Sequence, residues 1–410
     1  MTEPLFEPVS LPCGTVIRNR FLKSAMSEGL GDRRHDPSPL LPALYRTWAA
    51  GGTGLLITGN VMIRRDALGE PRNVVLDASS DLEPFRAWAA AGTAGGTQLW
   101  MQLNHPGKQS PRMLSREPVA PSAIPLGGDL KPFFAPPRAL TEAEILDLVA
   151  GFAASARLAQ QAGFTGVQIH GAHGYLVSQF LSPRHNQRED SWGGSPERRM
   201  RFPLEVYRAI RQAVGPAFPV GIKLNSADFQ RGGFTEAESL DVVRALDREG
   251  IDLIEISGGT YENPVVMSGD TRRESTRQRE AYFLFFAEQV KRLATCPVAV
   301  TGGFRSASAM AEALAAGATD LIGLARPLAV YPDLPAQIRS GLQDPCTLPR
   351  IRTGIRALDE RASLFDIMWY AQQLRRMGQG KQPRQSDAGL LALLGIMARS
   401  GLEVFGRQRS

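Results

Sequence analysis

Eight short apolar runs, separated by longer polar or helical stretches, set the strongest limit on what this chain can fold into. They are FLKSAM (21–26), GLLITG (54–59), TQLWMQL (97–103), GVQIHG (166–171), PVGIKL (219–224), IDLIEIS (251–257), PVAVTGG (297–303) and TDLIGLA (319–325). Between the third and fourth lies TEAEILDLVAGFAASARLAQQAG (141–163), whose apolar residues recur three and four apart. Thr141 precedes Glu144 by three residues and Gly163 ends the stretch, so it reads as a helix with a capping box and a glycine stop. A second helix of the same design follows Thr235 and stops at Gly250. Strand and helix in alternation make parallel strands joined by helical crossovers. Eight such units predict a closed (β/α)8 TIM barrel in preference to an open doubly wound sheet. Both signatures of the open-sheet nucleotide folds are missing: no GxGxxG follows the first strand and no GxxxxGK[ST] occurs.

The totals fit one large domain with an extension. Hydrophobic residues make up 43% of the 410, sufficient for a sizeable core. No run of apolar residues is long enough to predict a transmembrane helix. The N-terminus MTEPLFEPVSLP has neither a basic start nor an apolar region, so secretion is not expected. Cys13, Cys296 and Cys346 lie far apart, which argues against a disulfide framework, a structural zinc or an iron–sulfur cluster and for a reducing, cytoplasmic setting. The net charge of +6 belongs to the tail, because residues 346–410 hold 11 basic and 5 acidic groups while the rest is balanced. Nucleic acid is therefore not an expected partner. The division expected is a barrel over 1–345 and a basic, amphipathic helical extension over 346–410.

In a barrel, chemistry gathers at the C-terminal ends of the strands. Residues 104–140, after the third strand, carry Pro106, Pro111, Pro118, Pro121, Pro125, Pro132, Pro136 and Pro137 and read as a lid. Gln102 and Lys223 are polar residues at the mouth ends of apolar strands. Either they reach solvent there or, for the charge, a buried partner is required. VTGGFRS (300–306) exposes backbone amides at a glycine turn before a helix starting near Ser306, and Arg326 follows strand eight; together they suit a phosphate. In IHGAHGYLVSQFLSP (169–183), Gly171 and Gly174 spoil the helix that would align His170 and His173 as metal ligands, and no cysteine or acid pair stands nearby. No metal is expected. A histidine inside a strand is usually a satisfied core residue, but His170 ends its strand, with His173 and Tyr175 just beyond. A polar clamp is the favoured reading, beside a phosphorylated cofactor lying across the mouth.

These stretches, with NRFLKSAM (19–26), GLLITGNVM (54–62), MQLNHPGKQS (101–110), NQREDSWGGSPERRMRF (186–202) and GLARPL, resemble the Old Yellow Enzyme family of FMN-dependent ene-reductases, also called NADH:flavin oxidoreductases. The resemblance covers roughly residues 5–335 in the family's order. It implies FMN on the barrel mouth, its phosphate on Gly302, Gly303, Ala325 and Arg326. Ser24, Ala25, Met26 and Asn60 would border the flavin ring, Gln102 its pyrimidine edge, and Lys223 its N1 and O2. His170 and His173 would donate to the carbonyl oxygen of an enone-type substrate. Tyr175 would protonate the α-carbon while hydride reaches the β-carbon, with net trans addition. NADH or NADPH would supply electrons at the same mouth, with the lid and the loop Arg184–Gly194 as candidates to touch nucleotide or substrate.

Three positions depart from the family pattern. Ser27 stands where Thr or Cys is usual, Lys223 where Arg is common, and Asn60 where Gly or Ala is frequent. Serine keeps a hydroxyl and lysine keeps the charge but loses the planar fork. In the tail, 351–378 reads as one or two amphipathic helices packed on the barrel or a partner subunit. Residues 389–405, apolar with basic neighbours, carry a weak membrane-surface contact as the alternative. The leading function is NAD(P)H-dependent reduction of activated C=C bonds, including nitroalkenes. Against it stand a quinone or nitro compound as acceptor and a non-enzymatic flavin-binding protein. A homo-oligomer is compatible with all three.

Overall fold

A computed structural model describes residues 2–259, 281, 283–341, 346–349 and 362–384. All eight sequence-predicted strands form, as β1 (Phe21–Lys23), β2 (Leu55–Met62), β3 (Gln98–Asn104), β4 (Gly166–Gly171), β5 (Val220–Asn225), β6 (Leu253–Ser257), β7 (Val298–Thr301) and β8 (Leu321–Leu324). Each pairs in parallel with its neighbours in sequence, and β8 pairs with β1, closing the TIM barrel. Helices cross between strands as expected. α1 (Leu40–Ala50) buries Leu41, Leu44, Tyr45 and Trp48, a three–four spacing that turns one face to the barrel. α2 (Glu142–Gln161) and α3 (Glu236–Arg248) both begin with complete capping boxes, at Thr141 with Glu144 and at Thr235 with Glu238. α4 (Ala307–Ala315) starts where Ser306 Oγ accepts from the amide of Ala309 at 3.3 Å.

Strand residues alternate between two cores. Leu22, Leu55, Ile57, Trp100, Leu253, Ala299 and Leu321 fill the barrel interior, joined by Val9, Leu11 and Ile17 from an N-terminal hairpin. That hairpin closes the end opposite the mouth, where the amide of Cys13 donates to Asp252 Oδ1 at 3.0 Å. Trp100 fits the interior because strands β4 and β5 carry glycine opposite it. A Cβ on Gly166 would come within 2.5 Å of the indole and one on Gly221 within 2.9 Å. The alternate residues, such as Phe21, Leu56 and Ile222, face the helices.

The segment after β3 is folded and proline-punctuated, with no long helix. Val119–Ala120 pairs in parallel with Arg138–Ala139, and residues 104–110 are buried. It props the loop after β4: the amide of Leu176 donates to the carbonyl of His105, and Gln109 Nε2 donates to the carbonyl of His173, both at 3.0 Å. Within the tail, α5 (Ala362–Gly378) buries Trp369, Tyr370, Gln373, Leu374 and Met377. It lies against α1, close enough that a Cβ on Gly378 would meet the carbonyl of Leu40. The segment read as a membrane-surface stretch, 389–405, lies outside the described residues. Among those described, no helix is long and apolar enough to cross a membrane.

Candidate active site

Parallel register brings the polar strand ends into adjacent rows. Asn60 pairs with Gln102 and Gln102 with Gln168; His170 pairs with Lys223 and Lys223 with Glu255. Between Ile57 and Asn60 the register of β2 against β3 slips, the kind of irregularity that re-aims a side chain at a barrel rim. The result is a cavity of about 270 Å³ at the mouth. Twelve of the fourteen residues singled out in the sequence line it: Ser24, Ala25, Met26, Ser27, Asn60, Gln102, His170, His173, Tyr175, Lys223, Ala325 and Arg326. Gly302 and Gly303 do not. They follow Thr301, which does, and both have positive φ (120° and 109°), a backbone that favours glycine. Neither the segment 104–140 nor the loop 184–194 lines this cavity.

His170 and His173 meet each other. His170 Nε2 lies 3.0 Å from His173 Nδ1, and His173 Nε2 lies 2.9 Å from Ser257 Oγ. His170 Nδ1 is buried without a partner. Burial, with His173 and Lys223 beside it, holds the His170 ring far below the usual histidine range. Burial and Lys223 bring His173 down to about 3. Both rings are therefore neutral near pH 7, and each has one N–H to donate. His173 sits at φ 60°, a strained backbone for a residue with a Cβ. It is pinned there by Asn225 Oδ1, which accepts from its amide at 3.1 Å, and by Gln109 on its carbonyl. The Tyr175 ring lies 4.7 Å from the His170 ring, centroid to centroid. Among the described residues, no group of three or more His, Cys, Asp or Glu is arranged to hold a metal ion.

Lys223 has the buried partner its position demanded, and that partner is protein: Glu255, 3.0 Å away and fully buried. Gln102 Nε2 donates to Gln168 Oε1 at 2.7 Å, and Gln168 Nε2 donates to Glu255 Oε2 at 2.7 Å. Ser27 donates to Glu70, a lining carboxyl that burial pushes up. The far side of the cavity is walled by α5 through Asp366, Ile367, Tyr370 and Leu374. Arg326 acts electrostatically on both Asp366 and Tyr370, though burial dominates and pushes the Tyr370 phenol up to about 12. Sequence reading missed Glu255, Glu70 and the α5 residues. Only Glu255 carried a local signal, an acid inside the apolar run IDLIEIS.

Comparison with known proteins gives a consistent picture. Residues 4–345 match the profile of the NADH:flavin oxidoreductase / NADH oxidase family. A protein of Neonectria sp. (strain DH2), NADH-dependent flavin oxidoreductase iliE, is 40% identical over 354 residues, which are 80% of this chain and 46% of that protein. The protein of that name from Hypocrea jecorina (strain QM6a) is 40% identical over 356 residues, 81% of this chain and 88% of its own length. The chain thus spans about half of the first relative and most of the second. Among solved structures, 2-naphthoyl-CoA reductase in complex with 2-naphthoyl-CoA superposes with a TM-score of 0.77 at 26% identity, covering 83% of this chain and 53% of that one.

Proposed function

Since the chain belongs to the NADH:flavin oxidoreductase / NADH oxidase family, FMN-dependent enzymes of the Old Yellow Enzyme type that draw electrons from a nicotinamide, we propose that it reduces activated C=C bonds. The substrate class is α,β-unsaturated carbonyl compounds, with nitroalkenes as close analogues. The observation that carries this reading is the convergence of His170, His173 and Tyr175 on the cavity that Gln102, Lys223 and Arg326 also line.

The residues present fit FMN. Asn60 Oδ1 and His170 Nδ1 are buried and unpartnered, and Gln102 spends its amide N–H on Gln168, keeping its oxygen for a ring N–H. Arg326, Ala325 and the glycine turn 302–303 before α4 would hold the phosphate. Ser24, Ala25, Met26, Ser27 and Asn60 would border the ring, and Lys223 would stand at its N1 and O2 edge. When bound, FMN supplies two-electron chemistry, accepting hydride from NADH or NADPH and returning it to the β-carbon of the substrate.

The protein's own part is orientation and proton supply. For both imidazoles to donate to one substrate oxygen, the contact between His170 Nε2 and His173 Nδ1 must open as that oxygen enters. Neutral donors aimed at a developing enolate stabilise it without a proton leaving the rings. Tyr175 gives its phenolic proton to the α-carbon and recovers one from solvent, so one hydride and one proton saturate one double bond. None of the three cysteines is in a disulfide among the described residues, which suits a reducing, cytoplasmic setting.

The test is Tyr175→Phe, followed in two half-reactions under anaerobic conditions. Loss of a positioned acid should slow flavin reoxidation by a cyclic enone about 10²–10⁴-fold and leave bleaching by NAD(P)H unchanged. Equal slowing of both steps would remove Tyr175 from the proton-donor role. A flavin that bleaches but ignores the enone even in the parent protein would move the assignment to a quinone or nitro acceptor.

A further inference from the structure

The cation at the mouth is cancelled before any ligand arrives. Lys223 Nζ donates to Ser24 Oγ at 2.7 Å and lies 3.0 Å from Glu255 Oε1. Glu255 is in turn held from three more sides. Ser24 Oγ donates to Oε1 at 2.5 Å, Thr301 Oγ1 to Oε1 at 2.6 Å, and Gln168 Nε2 to Oε2 at 2.7 Å. Strand register fixes the pair as well, because Lys223 and Glu255 are neighbours across β5 and β6. A carboxylate with this many donors cannot swing away when a ligand binds. Burial alone would raise its proton affinity, but Lys223 and the three hydrogen bonds outweigh that and hold it ionised.

Resting on the FMN reading above, we propose that Glu255 is a positioning residue that fixes Lys223 and neutralises it, so that the flavin's pyrimidine edge faces an ion pair instead of a free cation. The distinction has a physical consequence. The field of a lone charge falls off slowly in a buried site, whereas opposite charges 3.0 Å apart largely cancel beyond their own separation. A reduced flavin bearing negative charge at that edge is then stabilised less than Lys223 by itself would stabilise it. The bound flavin becomes a stronger reductant, suited to acceptors that are harder to reduce.

Glu255→Gln tests this, since it keeps the shape and removes the charge. The purified protein with FMN bound is titrated with sulfite, which adds to oxidised flavin and is favoured by positive charge at the pyrimidine edge. Its two-electron midpoint potential is then measured. Glu255→Gln should bind sulfite about tenfold more tightly and raise the potential by about 30 mV, the tenfold equivalent for a two-electron couple. In a Lys223→Met background the buried Glu255 loses the cation that keeps it ionised and takes up a proton, so Glu255→Gln should there change neither readout. A merely structural role would not produce that coupling. Sulfite affinity and potential unchanged in Glu255→Gln, or an equal gain without Lys223, would overturn the proposal. If Glu255→Gln does not fold, Glu255→Asp carries the test: a carboxylate drawn back from Lys223 should shift both readouts in the same direction, and no shift would overturn it. A parent protein that takes up no FMN would fail the cofactor reading and this one together, and its missing visible spectrum would tell that case apart.

Discussion

Lys23 on β1 and Lys223 on β5 are each ion-paired to a buried glutamate, at 3.2 Å to Glu28 and 3.0 Å to Glu255, but they point to opposite sides of the barrel wall. Lys23 faces outward into the layer between the strands and α1. Its remaining needs are met by Tyr45 Oη at 3.1 Å, the carbonyl of Ile57 at 2.9 Å, and the face of Trp48, 4.5 Å away. Burial lowers its proton affinity, and Glu28 offsets that only in part. Lys223 faces inward, is tied down by a hydroxyl and a carboxylate, and lines the cavity. The same two residue types thus make a closed structural joint on one face and the floor of a site on the other. The difference lies in what completes the shell: aromatic rings and backbone for one, small hydroxyls and open space for the other.

Breaking the outward pair should give the largest effect on stability. Lys23→Met leaves Glu28 buried without its cation and should cost about 3–5 kcal/mol in denaturant unfolding. A loss under about 1 kcal/mol would mean that Tyr45 alone satisfies Glu28.

The inward region should be distinguished next by its response to acid. His170 and His173 have folded-state pKa values below the unfolded value of about 6.5. Below that pH the unfolded chain binds protons that the folded one refuses. Stability is therefore fully present above about 6.5 and falls as pH drops toward 3, by about 1.4 kcal/mol per pH unit for each histidine. His173→Asn should flatten the stability–pH slope between about pH 6 and 4 by that amount; an unchanged slope would contradict a neutral buried ring.

The smallest change in stability should come from replacing both members of a pair. Lys23→Met with Glu28→Leu should recover most of the single-variant loss, to within about 1 kcal/mol of the parent, because well-packed apolar residues often replace buried ion pairs at little cost. The enzyme should still turn over. Lys223→Met with Glu255→Leu should also stay folded but reduce the enone slowly. Full turnover in the second double variant would erase the functional contrast between the pairs.

Much of the architecture was legible because it is written in near neighbours. Alternating residues mark strands, three–four spacing marks helices, and Thr141 with Glu144 or Thr235 with Glu238 mark where helices begin. Polar residues inside apolar strands flagged Gln102 and Lys223, and the same signal stood at Glu255, where it went unused. Glu70 sits in a loop with no period to violate. Asp366, Ile367, Tyr370 and Leu374 belong to a helix whose pattern states that it has a buried face but not what that face meets.

What the sequence by itself determined is the closed alternation of strand and helix and which side chains stand at the strand ends, since both follow from spacings of a few residues. The tertiary structure alone decided which of those groups cancel one another, that the two histidines bond to each other, and that α5 walls the cavity. The first of these outcomes joins Ser24 to Lys223 and to Glu255 across 199 and 231 residues of chain. No local pattern encodes such pairs; they exist only once the barrel has closed and put β1, β5 and β6 around one cavity.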